Sequence, residues 1–192
     1  MYDPTRDLVI VEAITHDLKD YLLSDTLYWS LSGGWSFRNS LPKGTLGALL
    51  MRFHRLTTLD HLLNPEQYDR LHTARETTEV TFDKWRVQVE NKAVQEIKSR
   101  LRLWGTYLNE CEVEARSYHS EYPTQVSNRL LLSFLYDYGG KAVSAESLTT
   151  RLTMTDSILM RISTDSDFIW EEALEPAYPI AGYGWLYRRI RR

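Results

Sequence analysis

One cysteine, six prolines and nine glycines stand among 192 residues, and each scarcity removes something. The lone Cys111 excludes an intramolecular disulfide and fits a reducing compartment, so stability has to come from a buried core. Nowhere do about eighteen apolar residues run together, which removes a transmembrane span. The start, Met-Tyr-Asp-Pro-Thr-Arg-Asp, lacks the basic and then apolar stretches of a secretory signal. Basic charge is not in excess either: 23 Lys and Arg face 26 Asp and Glu, a formal charge of −3. Nucleic acid and anionic membrane are approached through a positive surface, so neither is expected as the main partner. The expectation is a cytoplasmic protein.

What is present is ordinary for a globular chain with a real core, 43% hydrophobic and 26% charged residues. The helix breakers are also unevenly spread. From Pro65 to Pro123 there is no internal proline and a single glycine, Gly105. Over the second half of that run Ile97, Leu101, Trp104, Leu108, Cys111, Ala115, Tyr118 and Tyr122 alternate at four and three residues, the seam of one very long helix. At about 1.5 Å per residue such a helix outspans a small domain. Its first half carries Leu71, Thr78, Phe82, Trp85 and Val89, and the step from Val89 through Ala93 to Ile97 is a stutter that unwinds a coiled coil. The β-branched run at 77–81 and Gly105 are its two weak points, each a candidate bend.

Other helices announce themselves locally. Asp3-Pro4 caps a first helix whose Leu8, Val11, Thr15, Leu18 and Leu22 share a face, with a fray or bend near Ser24-Asp25. A second begins near Thr45, carries Leu46, Leu49, Leu50, Phe53 and Leu56 inward and ends by Asn64. Asn64-Pro65-Glu66-Gln67 then has the form of a capping box at the start of the spine. After Pro123, Val126, Leu130, Leu131, Phe134, Leu135 and Tyr138 make a fourth stripe that stops at Gly139-Gly140, residues suited to a left-handed cap. A shorter helical pair is expected near 144–152 and 155–162. The predicted fold is mainly α, a bundle built on one long central helix, with a short aromatic C-terminal extended or hairpin segment. Residues 1–192 form a single helical domain, with a weak boundary near 140 setting 144–192 apart as a C-terminal subregion.

Several chemistries are weighed against plainer readings. Residues 147–162 suit a helix-turn-helix, with an aromatic hairpin after it as a wing. Asp156 to Ile162 offers only Arg161, however, and Asp165, Asp167, Glu171, Glu172 and Glu175 follow, so an ordinary helical hairpin is preferred. His54 and His61, seven apart, share a helical face that His16 or His72 would have to complete as a metal site, and no HxxxH, HExxH or ExxH pair is written. There is no GxSxG, P-loop or dinucleotide fingerprint, and Cys111 lies in the helical seam as a small apolar residue. No catalytic residue, metal or cofactor is expected.

Aromatic side chains outside the helices carry more weight. Tyr28, Trp29, Trp35 and Phe37 crowd one irregular segment, and Phe168, Trp170, Tyr178, Tyr183, Trp185 and Tyr187 another. Both fit segments that wrap and seal the bundle. The functional alternative is a shared groove for a ligand or partner, lined by Trp29, Trp35, Trp170, Tyr178, Trp185 and Tyr187. Arg188, Arg189, Arg191 and Arg192 end the chain as a cationic tip able to hold an acidic partner.

Leu27-Tyr28-Trp29, the run from Leu41-Pro42 through Gly44-Thr45-Leu46-Gly47 to Leu56, and the closing Phe168-Ile169-Trp170, Pro176-Ala177-Tyr178-Pro179 and Trp185-Leu186-Tyr187 resemble uncharacterised bacterial helical proteins of similar length, a family of unknown function. The resemblance covers most of the chain and implies no activity. It implies that the tail belongs to the same unit as the first two helices, which counts against a separate helix-turn-helix. The leading functional expectation is a non-enzymatic interaction or scaffolding protein with a protein partner or self-association through the spine. A DNA-binding regulator using 144–192 and a metal-dependent bundle enzyme are the alternatives.

Overall fold

The computed structural model describes residues 2–31, 41–145 and 147–191. Among these are eight α-helices: α1 (Pro4–Leu23), α2 (Leu46–Thr58), α3 (Pro65–Lys84), α4 (Arg86–Tyr118), α5 (Tyr122–Leu135), α6 (Gly140–Ala145), α7 (Leu148–Ile162) and α8 (Ile180–Tyr183). A two-stranded antiparallel sheet, β1 (Ser163–Asp165) and β2 (Arg188–Ile190), closes the C-terminal segment in the register Ser163↔Ile190, Thr164↔Arg189, Asp165↔Arg188. The mainly α bundle with a long central helix is therefore what forms. No helix among the described residues is long and apolar enough to cross a membrane.

Local signals set the helix starts. Asp3 accepts from the Thr5 amide at 2.9 Å with Pro4 at the first turn. Asn64 and Gln67 exchange the two bonds of a capping box, at 2.9 and 3.0 Å. Thr45 accepts from Ala48 N and donates to Glu96, whose buried carboxylate also takes the Gly47 amide at 2.9 Å and the Arg100 guanidinium at 3.1 Å. A carboxylate thus answers both the positive end of α2 and a neighbouring cation. At the other end of α1, the buried Lys92 Nζ donates to the Ser24 and Thr26 carbonyls, at 2.8 and 2.7 Å, so the chain turns there instead of fraying.

The spine is not one helix. It breaks at Trp85 (φ −118°, ψ 36°) and again at Glu114 (φ −143°, ψ 65°), while Gly105 and 77–81 stay helical. No local breaker stands at Trp85. The break lets α3 lie along α1, burying Leu71, Ala74 and Thr78 there, where a straight continuation of α4 would leave that face of α1 bare. The seam from Val89 to Cys111 is buried under the chain's own α5, α7 and α2. Gly140, not Gly139, has the positive φ (55°), and α7 runs unbroken through Thr153–Asp156. Thr153, Thr155 and Ser157 donate back to carbonyls four residues earlier, which satisfies those hydroxyls within the helix, and the turn expected at 153–154 does not form.

Two buried cores share α4 and α5. The first collects Leu8, Val11, Leu18, Leu49, Ile97 and Leu135, and the second Trp104, Leu108, Tyr122, Leu130, Tyr178 and Leu186. The C-terminal segment reaches the second core through short turns: Pro176 lies inside a 3-10 helix, Glu172–Ala177, and Pro179 caps α8. Pro176 follows Glu175, whose carbonyl accepts from Tyr178 N at 2.9 Å, and the Pro179 carbonyl accepts from Gly182 and Tyr183. A ring that presets φ suits the second position of such a turn and the cap of a helix. The strands lie outside the aromatic segment, at 163–165 and 188–190.

Candidate functional site

The aromatic residues singled out from the sequence fall in two places. Trp29 packs on the first core, its Nε1 donating to Asp17 at 3.1 Å and its backbone bridging Gly44. Trp35 lies outside the described residues. The other four close the second core. The Arg55 guanidinium lies 5.6 Å from both the Trp170 and Tyr178 rings and donates to the Tyr178 hydroxyl at 2.6 Å. Arg129, paired with Asp156 at 2.7 and 2.9 Å, stacks 3.7 Å from the Trp185 ring. Tyr187 donates to the Tyr178 carbonyl. These rings are engaged with one another and with backbone, and Trp29 is on a different core from them.

Beneath them is a buried charge cluster. Arg52 reaches Asp7 at 3.1 Å and Arg55 at 3.6 Å, so two guanidiniums share one carboxylate where α1, α2 and the tail meet. Burial pushes the Tyr178 phenol up to about 12 despite Arg55, and it stays a neutral partner.

The histidines do not converge. His54 Nε2 donates to the Ala177 carbonyl at 2.6 Å, and its ring sits among Phe134, Tyr178 and Tyr183. His16, His61 and His72 are exposed, and among the described residues no group of three His, Cys, Asp or Glu is placed to hold a metal. Burial raises the Cys111 thiol, which keeps it from being a ready nucleophile. Of the tail cations Arg188 pairs with Asp165, and Arg161 at the end of α7 pairs with Glu112.

The concavity best suited to recognition lies elsewhere, between α2, α3 and the end of α5. Two adjoining depressions of about 360 Å³ each share Phe82, Asp137 and Tyr138. Leu50, Phe53, Phe82, Phe134 and Tyr138 supply an apolar lining in the first, with His54 beside them, and Val89 continues it in the second. Phe82 and Tyr138 meet edge to face at 5.5 Å. Glu79, Asp83 and Asp137 line the cleft with no cation partner among the described residues, whereas Arg86 pairs with Glu90 and Arg75 turns to Thr57 and the Phe53 ring. Burial first, then Asp137 and Glu79, pushes the Tyr138 phenol up, so the cleft is both dry-sided and negative.

Sequence reasoning placed Leu50, Phe53, Phe82, Phe134 and Tyr138 in core stripes and missed that they open onto a cleft. Their one distinguishing signal is the carboxylates spaced among them, at Glu79, Asp83 and Asp137. Comparison of the chain with family models, with curated proteins and with solved structures finds no match in any of the three.

Proposed function

We propose that the protein is a non-enzymatic interaction module, acting in the cytoplasm, whose cleft between α2, α3 and α5 receives an apolar segment of a protein partner flanked by lysine or arginine. The observation that carries this is a floor of aromatic side chains beside three carboxylates that have no cation partner among the described residues. Aromatic pockets supply most of the energy of small interfaces, and an unbalanced charged rim selects and steers the oppositely charged partner. Each depression is within the volume range of sites that engulf a side chain cluster or small ligand. No nucleophile, base and orienting group converge there, so the cleft suits holding better than turnover.

The test is fluorescence anisotropy with two labelled amphipathic peptides that carry the same leucine and phenylalanine anchors, one with lysine and one with glutamate on the polar face. The lysine peptide is expected to bind saturably and to weaken with salt. Reversing Glu79→Lys and Asp137→Lys together should cost it about tenfold in affinity, near 1.4 kcal/mol. Equal binding of both peptides, or indifference to the charge reversal, sinks the reading.

A further inference from the structure

A second groove, of about 530 Å³, lies at the opposite chemical extreme. His119, Thr164, Arg189, Ile190 and Arg191 line it, and among the described residues no carboxylate does. Arg189 and Arg191 are two apart on extended chain, so they project from the same side of β2 and its continuation, about 6.6 Å apart along the strand. Ile190 between them turns the other way and is buried in the second core. Thr164 stands directly across the sheet from Arg189. His119 enters from the turn after α4, its Nδ1 2.9 Å from the Arg116 carbonyl, an acceptor only, which fixes a proton on Nδ1 and leaves Nε2 without a partner among the described residues.

The contrast with neighbouring cations makes the groove informative. Arg129, Arg161 and Arg188 each hold a carboxylate, Arg188 also donating to Ser163 at 2.7 Å. Arg189 and Arg191 hold nothing among the described residues, in a chain where acidic side chains outnumber basic ones. We propose that this groove is an oxyanion site that takes a phosphate monoester. Guanidinium forks match phosphate oxygens in pairs, and two forks side by side suit a doubly charged group better than a single carboxylate. The hydroxyl of Thr164 adds a neutral donor, and the bare Nε2 of His119 is an acceptor for the P–OH of a singly protonated phosphate. A nucleic-acid strand fits less well, because a duplex is held by many phosphate contacts and its single strands by aromatic stacking, while this lining has two arginines and no ring beyond His119. The site shares no residue with the cleft and does not depend on the function proposed for it.

Phosphate of this kind comes free, on a small molecule, or on a modified side chain of a protein, and calorimetric titration separates the sources. Inorganic phosphate is expected to bind saturably, and the Arg189→Gln, Arg191→Gln double variant to weaken it at least about tenfold, the scale of two lost charge-assisted contacts. Removing the same charge from exposed positions, Arg102→Gln with Arg151→Gln, should change affinity less than about twofold. His119→Gln, which leaves the sheet untouched, should also weaken binding and serves if the arginine variant does not fold. A phosphoserine peptide that binds more tightly than inorganic phosphate, while its unphosphorylated form does not bind, supports the site with a protein source; equal affinity for peptide and inorganic phosphate supports it with a small-molecule source. Absence of saturable binding, equal losses in both double variants, or tighter and steeply salt-dependent binding of duplex DNA overturns the proposal.

Discussion

The core under α1, α2 and α3 buries leucine, isoleucine and valine almost throughout, with Tyr21 and Phe53 as its buried rings, whereas the core under the C-terminal segment buries Trp104, Tyr107, Tyr122 and Tyr178. The first is helix on helix, so its backbone polar groups are satisfied before packing begins. The second is closed by irregular chain whose backbone finds partners among ring substituents. Tyr122 donates to the Trp185 carbonyl at 2.6 Å, Trp170 to the Pro123 carbonyl at 2.6 Å, and Tyr187 to the Tyr178 carbonyl at 3.0 Å. Aliphatic packing responds to volume and tolerates a change of chemistry at its edge. A core stitched by phenols and indoles responds to a single proton or hydroxyl.

Alkali should separate the two most strongly. Burial raises the phenols of Tyr107, Tyr122 and Tyr178 in the second core, Tyr178 to about 12, and among fully buried phenols the first core has Tyr21 alone. Above pH 10 the unfolded chain gives up these protons and the fold keeps them. The native state then binds more protons, so stability present in full below pH 10 falls as pH rises, by about 1.4 kcal/mol per pH unit for each tyrosine. Counting the partly buried phenols that burial also raises, Tyr136 and Tyr138 beside the first core and Tyr2, Tyr183 and Tyr187 beside the second, six stand against three, so the second core should lose about twice as much as the first. Between pH 10 and 12 the tryptophan emission, dominated on that side by Trp104, Trp170 and Trp185, is expected to shift to the red before far-ultraviolet helicity falls; simultaneous loss of both signals breaks the contrast.

Asp7 is where the two regions are tied. Asp7→Ala leaves Arg52 and Arg55 buried against each other, and removing one partner of a buried ion pair costs about 3–5 kcal/mol. Urea unfolding should show that loss, and adding Arg52→Met should recover part of it, because a buried uncompensated charge is replaced by apolar packing. A loss below about 1 kcal/mol, the range of exposed pairs, means that the cluster is solvated and does not anchor the tail.

Tyr122→Phe is milder. It keeps the ring against Trp104 and strands the Trp185 carbonyl, a loss of about 1–2 kcal/mol. Hydrogen exchange should speed up in 184–190 and hold steady in α1. A uniform change across both cores would show that the segment has no separate stability.

What was legible in the sequence divides along the same line. Asp3-Pro4, Thr45 and the Asn64–Gln67 box could be read because a cap is made within four residues. The break at Trp85 could not, since no proline or glycine marks it and its cause is the uncovered face of α1, far away in sequence. The aromatic load of the tail was legible, and its path was not: Pro176 and Pro179 open turns in this structure, and the pairing at 163–165 with 188–190 spans a separation no local pattern encodes. The cleft was hidden for a further reason. Periodicity tells which face of α2, α3 and α5 is apolar, but a covered Phe and one facing a cleft have the same spacing, so Phe53, Phe82 and Phe134 read as core.

The smallest effect tests where the two cores join. Gly105 directly follows Trp104 of the second core, about one turn after Leu101 of the first, inside α4, and a Cβ built there meets nothing within 4 Å. Its helical conformation is open to any residue, so its lack of a side chain serves no visible contact. Gly105→Ala should therefore stabilise by about 0.5–1 kcal/mol, through lower backbone entropy in the unfolded chain and better helix propensity. A rise in the urea midpoint at unchanged slope is the expected result. If alanine instead leaves the midpoint unmoved or lowers it, α4 departs from helix at Gly105 in solution, and the aliphatic and aromatic cores move against each other about that point.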